Sequence, residues 1–294
     1  MTTRQRTQID FDLATDPNVL KLIRMSLEED LGTAGDVTSS ALMPDARMAV
    51  VMVAREACVP AGLGIAAAVF QTVDPGLTVT ALAKDGKAVA EGDELLRIEG
   101  SAIGILSAER TALNFAQHLS GIATVTRSYV DVVEDLGTQI LDTRKTTPGW
   151  RLLEKYAVHC GGGVNHRAGL YDQILIKDNH LAHWRRSTGK NIAEAVEAAR
   201  ASAPGLLVEV EADTVPQVQK LLEAKPDWIL LDNMSFVEME MAVEMCRGIS
   251  KTEASGGITM DTLRGVAETG VDAISVGALT HSVRSVDIGL DAAE

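Results

Sequence analysis

Arg144, Lys145, His166, Arg167 and Lys177 crowd cationic and imidazole side chains into one stretch of a 294-residue chain whose formal net charge is −14. Arginine offers a planar fork matched to carboxylate or phosphate, and lysine a compact charge, so the group suits an anionic ligand. An ordinary surface charge or ion pair is the common fate of any one of them; their clustering is what points to a site. Further along, Glu209, Glu211 and Asp232 supply carboxylates. Glu209 and Glu211 are two apart, which turns both to one face of a strand. Magnesium suits Glu211 and Asp232, partly through water or substrate, because it takes one or two carboxylates and completes its shell with water and phosphates. Pairing with neighbouring cations suits these acids equally well. Ser255-Gly256-Gly257 and Val276-Gly277-Ala278 would expose backbone N–H groups to a phosphate. Glycine after a strand is usually only a turn; its recurrence at two consecutive exits is what points to phosphate. The combined expectation is a polyanionic substrate with a phosphate at one end and a second anionic group at the cationic end. No Ser-His-Asp order and no zinc spacing is present.

The apolar runs describe a scaffold that would gather these side chains. QIL at 139–141, ILI at 174–176, LLVEV at 206–210, WILL at 228–231, KTEA at 251–254 and AISV at 273–276 read as short strands, mostly separated by amphipathic helical stretches. That alternation implies parallel pairing in an α/β fold. Each run exits into polar or glycine residues: Asp142 to Lys145, Lys177 to Asn179, Glu211, Asp232-Asn233, Ser255 to Gly257, and Gly277-Ala278. In a parallel α/β barrel all such exits share the face on which these folds bind ligands. Six runs are fewer than a closed barrel needs, so either a strand is hidden near Val164 or the barrel is incomplete, and the second reading is preferred. Cys160-Gly-Gly-Gly-Val-Asn-His166-Arg167 both stops a preceding helix and can bring backbone close to a ligand.

Before this series the texture differs. Asp16-Pro17 reads as an N-cap and first helical residue, with Val19, Leu20, Leu22, Ile23 and Leu27 as an apolar stripe ending near Gly32. Segments 49–54, 77–83 and 94–100 read as strands broken by DPG, KDG and EGD turns, with a helix over 62–73. A long helix follows from Ser107 to about Asp135.

Composition sets the outer limits. With 46% hydrophobic residues the chain can bury one large core or two modest ones. Residues 1–11 lack a secretory apolar run and no window approaches a membrane span, which leads to a cytoplasmic expectation with no membrane partner. The acidic balance opposes nonspecific nucleic-acid binding. Cys58, Cys160 and Cys246 are far apart and read as buried thiols.

Several blocks of the sequence carry a resemblance: EEDLGTAGDVTS at 28–39, AERTALNFAQHLSGIAT at 108–124, DTRKTTPGWRLLEKYAVHCGGGVNHRAGLYDQILIKDNH at 142–180, EVE at 209–211, LLDN at 230–233, EASGG at 253–257 and VGALTHS at 276–282. In these the chain resembles the quinolinate phosphoribosyltransferase family (nicotinate-nucleotide pyrophosphorylase, carboxylating) over nearly its whole length. The resemblance implies an N-terminal α/β sandwich domain over 1–115, to which 280–294 return, and an incomplete, seven-stranded α/β barrel over 116–279. It implies a glycosyltransferase of NAD biosynthesis that moves phosphoribosyl from phosphoribosyl pyrophosphate to quinolinate, giving nicotinate mononucleotide, pyrophosphate and carbon dioxide. A homodimer with a shared site, open to further assembly, is also implied. By the same resemblance Arg144, His166, Arg167 and Lys177 hold the quinolinate carboxylates with Thr143 beside them, and Arg110 reaches in from the partner subunit. Lys145, Glu211 and Asp232 meet phosphoribosyl pyrophosphate and magnesium, and Ser255, Gly256, Gly257, Val276, Gly277 and Ala278 cradle phosphate. Trp150 departs from the family pattern, where an aliphatic residue is expected. The alternatives weighed against this are a paralogous phosphoribosyltransferase acting on another aromatic acid, a Schiff-base aldolase using Lys145 or Lys177, and a phosphometabolite-binding regulator.

Overall fold

The computed structural model describes Leu13 and residues 15–293. In chain order the first elements are helices α1 (Pro17–Leu31) and α2 (Val37–Leu42), strand β1 (Arg47–Ala54), α3 (Leu63–Val73), β2 (Thr78–Ala81), β3 (Glu94–Ser101) and the long α4 (Ala102–Val133). Then follow β4 (Gln139–Leu141), α5 (Arg151–Cys160), β5 (Ile174–Ile176), α6 (Asp178–Thr188), α7 (Ile192–Ser202), β6 (Val208–Ala212), α8 (Val215–Leu222) and β7 (Trp228–Asp232). The chain continues through α9 (Phe236–Cys246), β8 (Lys251–Ser255), α10 (Met260–Glu268), β9 (Ala273–Ser275), α11 (Ala278–His281) and β10 (Ile288–Ala292). Two compact units result. One takes Ser128–Lys145 and Gly163–Gly277; the other takes the described part of Asp10–Arg127, Thr146–Gly162 and Ala278–Glu294.

The unit that starts the described chain is built on an antiparallel sheet of four strands in the order β10-β1-β3-β2. Its core includes Phe70, Leu95, Leu96, Ile98 and Phe115. α1 begins where the Asp16 carboxylate accepts the Asn18 and Val19 amides at 2.8 and 3.1 Å, and it stops at Gly32, whose φ of 51° only glycine adopts readily. α2 was not expected from the sequence; Asp36 caps it through the Thr38 and Ser39 amides. Trp150 stacks on Phe115, with centroids 4.7 Å apart.

The other unit carries a parallel sheet of six strands in the order β4-β9-β8-β7-β6-β5. All six expected runs are present in it. β6 lies two residues later than expected because the Asp227 carboxylate accepts the Val208 amide at 2.9 Å and fixes the strand's start there; Glu211 is therefore inside the strand. KTEA forms β8, inside the sheet, with Thr252 held by Asp272 at 2.8 Å. Val164 forms a parallel bridge with Leu141, so an extended residue does lie beside β4, as one reading of the sequence had it. Leu141, Leu207, Trp228 and Ala273 form an apolar cluster, with Val164 packed against it.

Candidate active site

The DTRKTTPG segment at 142–149 begins with an acid that serves the fold. Asp142 is fully buried, and its carboxylate accepts the His166 amide at 2.8 Å and the Asn165 side-chain amide at 2.7 Å. The Val164 amide donates to the Ile140 carbonyl at 2.8 Å. These bonds fasten the glycine-rich loop to the exit of β4 and place His166-Arg167 beside Thr143-Arg144-Lys145. Within the exit, the Thr143 hydroxyl accepts the Lys145 amide at 3.0 Å. Arg144 is half-buried and Lys145 exposed.

Beneath these cations lies a buried polar network. His166 is 7% exposed; its Nδ1 accepts the Arg167 amide at 2.7 Å, and its Nε2 lies 3.2 Å from Glu209 and 3.6 Å from Glu253. Gln173 donates to the same Glu209 oxygen at 2.5 Å. The Asp172 carboxylate accepts the Ala168 and Gly169 amides at 2.7 and 2.9 Å, which shapes the turn after Arg167. The Arg167 guanidinium donates to the Gln173 carbonyl at 3.4 Å. Burial pulls its pKa down, the Arg144 charge pulls it further, and Glu209 and Asp172 oppose both. The guanidinium remains charged, so this wall offers a partly desolvated cation, a setting that rewards an incoming carboxylate.

Carboxylates line a second region of the same unit. Glu211, Asp213 and Asp232 can each bring an oxygen within 4.8 Å of the others. Lys177, expected among the anion-binding cations, pairs here with Glu211 at 2.6 Å. Asn233 takes a left-handed φ of 55°, donates its amide to the Ser255 carbonyl at 2.9 Å, and donates its side chain to Asp232 at 2.9 Å. Gly256 fits against it: with φ at +99°, a Cβ there would lie 2.2 Å from the Asn233 side-chain oxygen. Gly257 has a φ of +61° and is exposed. The Val276 amide donates to the Leu141 carbonyl at 2.9 Å, fixing the last exit.

Thr143, Arg144, Lys145, His166, Arg167, Lys177, Glu211, Asp232, Ser255, Gly256, Gly257, Val276 and Gly277 thus all belong to one unit, at or beside strand exits. Arg110, exposed on α4, and Ala278, which opens α11, belong to the other. Residues 36–120 match the family "Quinolinate phosphoribosyl transferase, N-terminal domain", and residues 122–291 match its "C-terminal domain". The chain belongs to the quinolinate phosphoribosyltransferase family.

Among relatives, it is 44% identical over 288 residues to the nicotinate-nucleotide pyrophosphorylase [carboxylating] of Mycobacterium leprae, covering 96% of this chain and 98% of that one. It is 42% identical to a probable enzyme of the same name from Bacillus subtilis, with 92% of each chain covered. The solved structure of the nicotinate-nucleotide pyrophosphorylase from Francisella tularensis superposes with a TM-score of 0.90 at 38% identity, covering 98% of this chain and all of that one.

Two functional candidates in this family member escaped the sequence reading. Asp213 follows Glu211 by two residues, the spacing that had already paired Glu209 with Glu211, and it supplies the third oxygen of the acidic group. Glu253 lies in the middle of a strand, where a buried charge is unusual enough to mark it. Glu209, grouped with Glu211 on the acidic side from sequence, instead joins His166 and Glu253 in a separate buried cluster.

Proposed function

We propose that this chain transfers phosphoribosyl from phosphoribosyl pyrophosphate to quinolinate with loss of carbon dioxide, giving nicotinate mononucleotide and pyrophosphate in NAD biosynthesis. The observation that carries this reading is the presence in one unit of a partly buried cationic wall and a carboxylate triad joined by the Lys177–Glu211 pair at 2.6 Å. Arg144, Arg167 and Lys177 hold the two quinolinate carboxylates with Thr143 beside them; His166, expected to hold them as well, has both ring nitrogens engaged within the protein; and Arg110 enters from the second subunit of a homodimer. Lys145, Glu211 and Asp232 meet the phosphoribosyl pyrophosphate, and the 255–257 and 276–278 backbones cradle its phosphates. The six strands and the Val164 bridge are read as an incomplete seven-stranded barrel, and the four-stranded unit as an N-terminal sandwich domain. The protein acts in the cytoplasm.

The donor set fits magnesium, since Glu211, Asp213 and Asp232 offer three oxygens to a hard cation. When bound, the ion would neutralise charge on the pyrophosphate. The protein's own residues do the rest. The cations offset repulsion between two anionic substrates. As pyrophosphate departs, positive charge develops on the ribose, and the Glu211 and Asp232 carboxylates stabilise it through their field. The pyridine nitrogen, positioned by its carboxylates, forms the new bond to the ribose carbon. The carboxylate next to the now cationic ring nitrogen leaves as carbon dioxide, its electron pair held by that ring until a proton replaces it.

A pyrophosphate-release assay tests the reading. Turnover should require quinolinate, phosphoribosyl pyrophosphate and magnesium together, and nicotinate should not replace quinolinate. Equal turnover with nicotinate would transfer the protein to a paralogous activity.

A further inference from the structure

Glu209 is fully buried, and the mechanism above gives it no part. One oxygen of its carboxylate serves two donors: the Gln173 side chain at 2.5 Å and the His166 ring at 3.2 Å. The tautomer of His166 follows from the opposite edge of the ring. Its Nδ1 accepts the Arg167 amide at 2.7 Å, so that nitrogen carries no proton and Nε2 carries it instead, aimed at Glu209 with Glu253 at 3.6 Å. The acceptor on β6 thereby orients the ring, the ring receives the Arg167 amide, and Gln173 accepts from the Arg167 guanidinium through its carbonyl at 3.4 Å. Arg167 is thus held at its amide and at its side chain by two residues that both end on the same Glu209 oxygen.

We propose that Glu209 is a positioning residue for diacid recognition: its carboxylate oxygen fixes His166 and Gln173, and through them the Arg167 guanidinium. The proposal rests on the reading that quinolinate binds beside Arg167. It assigns to Glu209 a geometric task, acceptance of two hydrogen bonds, which a glutamine side-chain oxygen can also perform and a leucine cannot. Groups held in place by such partners lose on the order of tenfold or more in binding when the supporting bond is removed.

The experiment is calorimetric titration of quinolinate, and separately of phosphoribosyl pyrophosphate with magnesium, into the full-length wild type, Glu209→Gln and Glu209→Leu. We expect Glu209→Leu to weaken quinolinate binding about tenfold or more while leaving phosphoribosyl pyrophosphate affinity within about twofold, and Glu209→Gln to recover most of the loss. Equal loss of both ligands, equal impairment by both substitutions, or no impairment by leucine would each overturn the proposal. If Glu209→Leu does not fold, Gln173→Leu replaces it, with the same selective loss of quinolinate expected and an unchanged affinity counting against the idea. Long-range proton–nitrogen spectra of histidine-labelled protein supply the second readout: His166 should show protonated Nε2 and bare Nδ1 in wild type and Glu209→Gln, and the reverse tautomer in wild type would refute it. Wild type that binds no quinolinate would instead refute the reading of the site itself, a result separate from any effect of the substitutions.

Discussion

Around His166 the polar groups are buried and engaged: both ring nitrogens, Asp142 and Glu209 all face protein partners. Around Asp232 the carboxylates are half-buried or exposed, and two of the supporting bonds come from one residue, Asn233, in a left-handed turn. The contrast follows from dielectric. Buried hydrogen bonds cost more to break than bonds near water, so the network around His166 holds its groups in place. Acids near water can change partners at little cost. One region is therefore suited to recognising a fixed planar diacid, the other to receiving ions and phosphates that arrive and leave.

The largest effect that would break this comparison concerns Arg167. Arg167→Ala removes a partly buried guanidinium and should weaken quinolinate binding by about 3 kcal/mol, on the order of a hundredfold, with little change for phosphoribosyl pyrophosphate. Matched losses for both ligands by titration would merge the two regions into one. Next comes stability. Asp142→Ala strands the His166 amide and the Asn165 side chain and should lower unfolding free energy by about 2–3 kcal/mol in urea, whereas Asp213→Ala at the exposed end should stay within about 0.5 kcal/mol. Gly256→Ala tests the other region from the backbone side. A Cβ 2.2 Å from the Asn233 side chain, at a φ of +99°, must displace the turn, and phosphoribosyl pyrophosphate affinity should fall about tenfold while quinolinate affinity holds. Asp213→Asn should raise the magnesium concentration needed for half-maximal turnover several-fold and leave the quinolinate KM alone; an unchanged magnesium curve removes Asp213 from the ligand set.

The smallest effect is one of pH. Burial pushes the Cys246 thiol up to about 11 from an ordinary value of 9.0. The folded state therefore favours the protonated form, so this contribution is intact below about pH 9 and is lost as pH rises through about 11. Wild type should lose urea resistance across that window more steeply than Cys246→Ala, and parallel curves would show that the buried thiol does not contribute.

Much of this was legible beforehand because the chemistry follows strand ends. Short apolar runs followed by polar residues located the exits from Thr143 to Gly277, and the Asp16-Pro17 and Gly32 signals bounded α1 closely. What sequence spacing misread was decided by tertiary contact. Glu209 and Glu211 do lie two apart on β6, yet one is drawn under His166 and the other toward Lys177, a division that depends on which strand exits face each residue. The start of β6 was set by Asp227, the residue just before the next strand. Asp142 looked like part of a binding segment, and only its two bonds across to Asn165 and His166 show that it fastens one loop to another.

The ion pair between Lys177 and Glu211, 2.6 Å long, ties the cationic wall to the carboxylate group. An anion that draws Lys177 toward itself leaves the Glu211 carboxylate available to a ribose hydroxyl or a cation, and a ligand that engages Glu211 first releases Lys177 in the same way. If the proposed reading of the site holds, each substrate would help the other by the same factor, through a single 2.6 Å contact that either guest can unfasten.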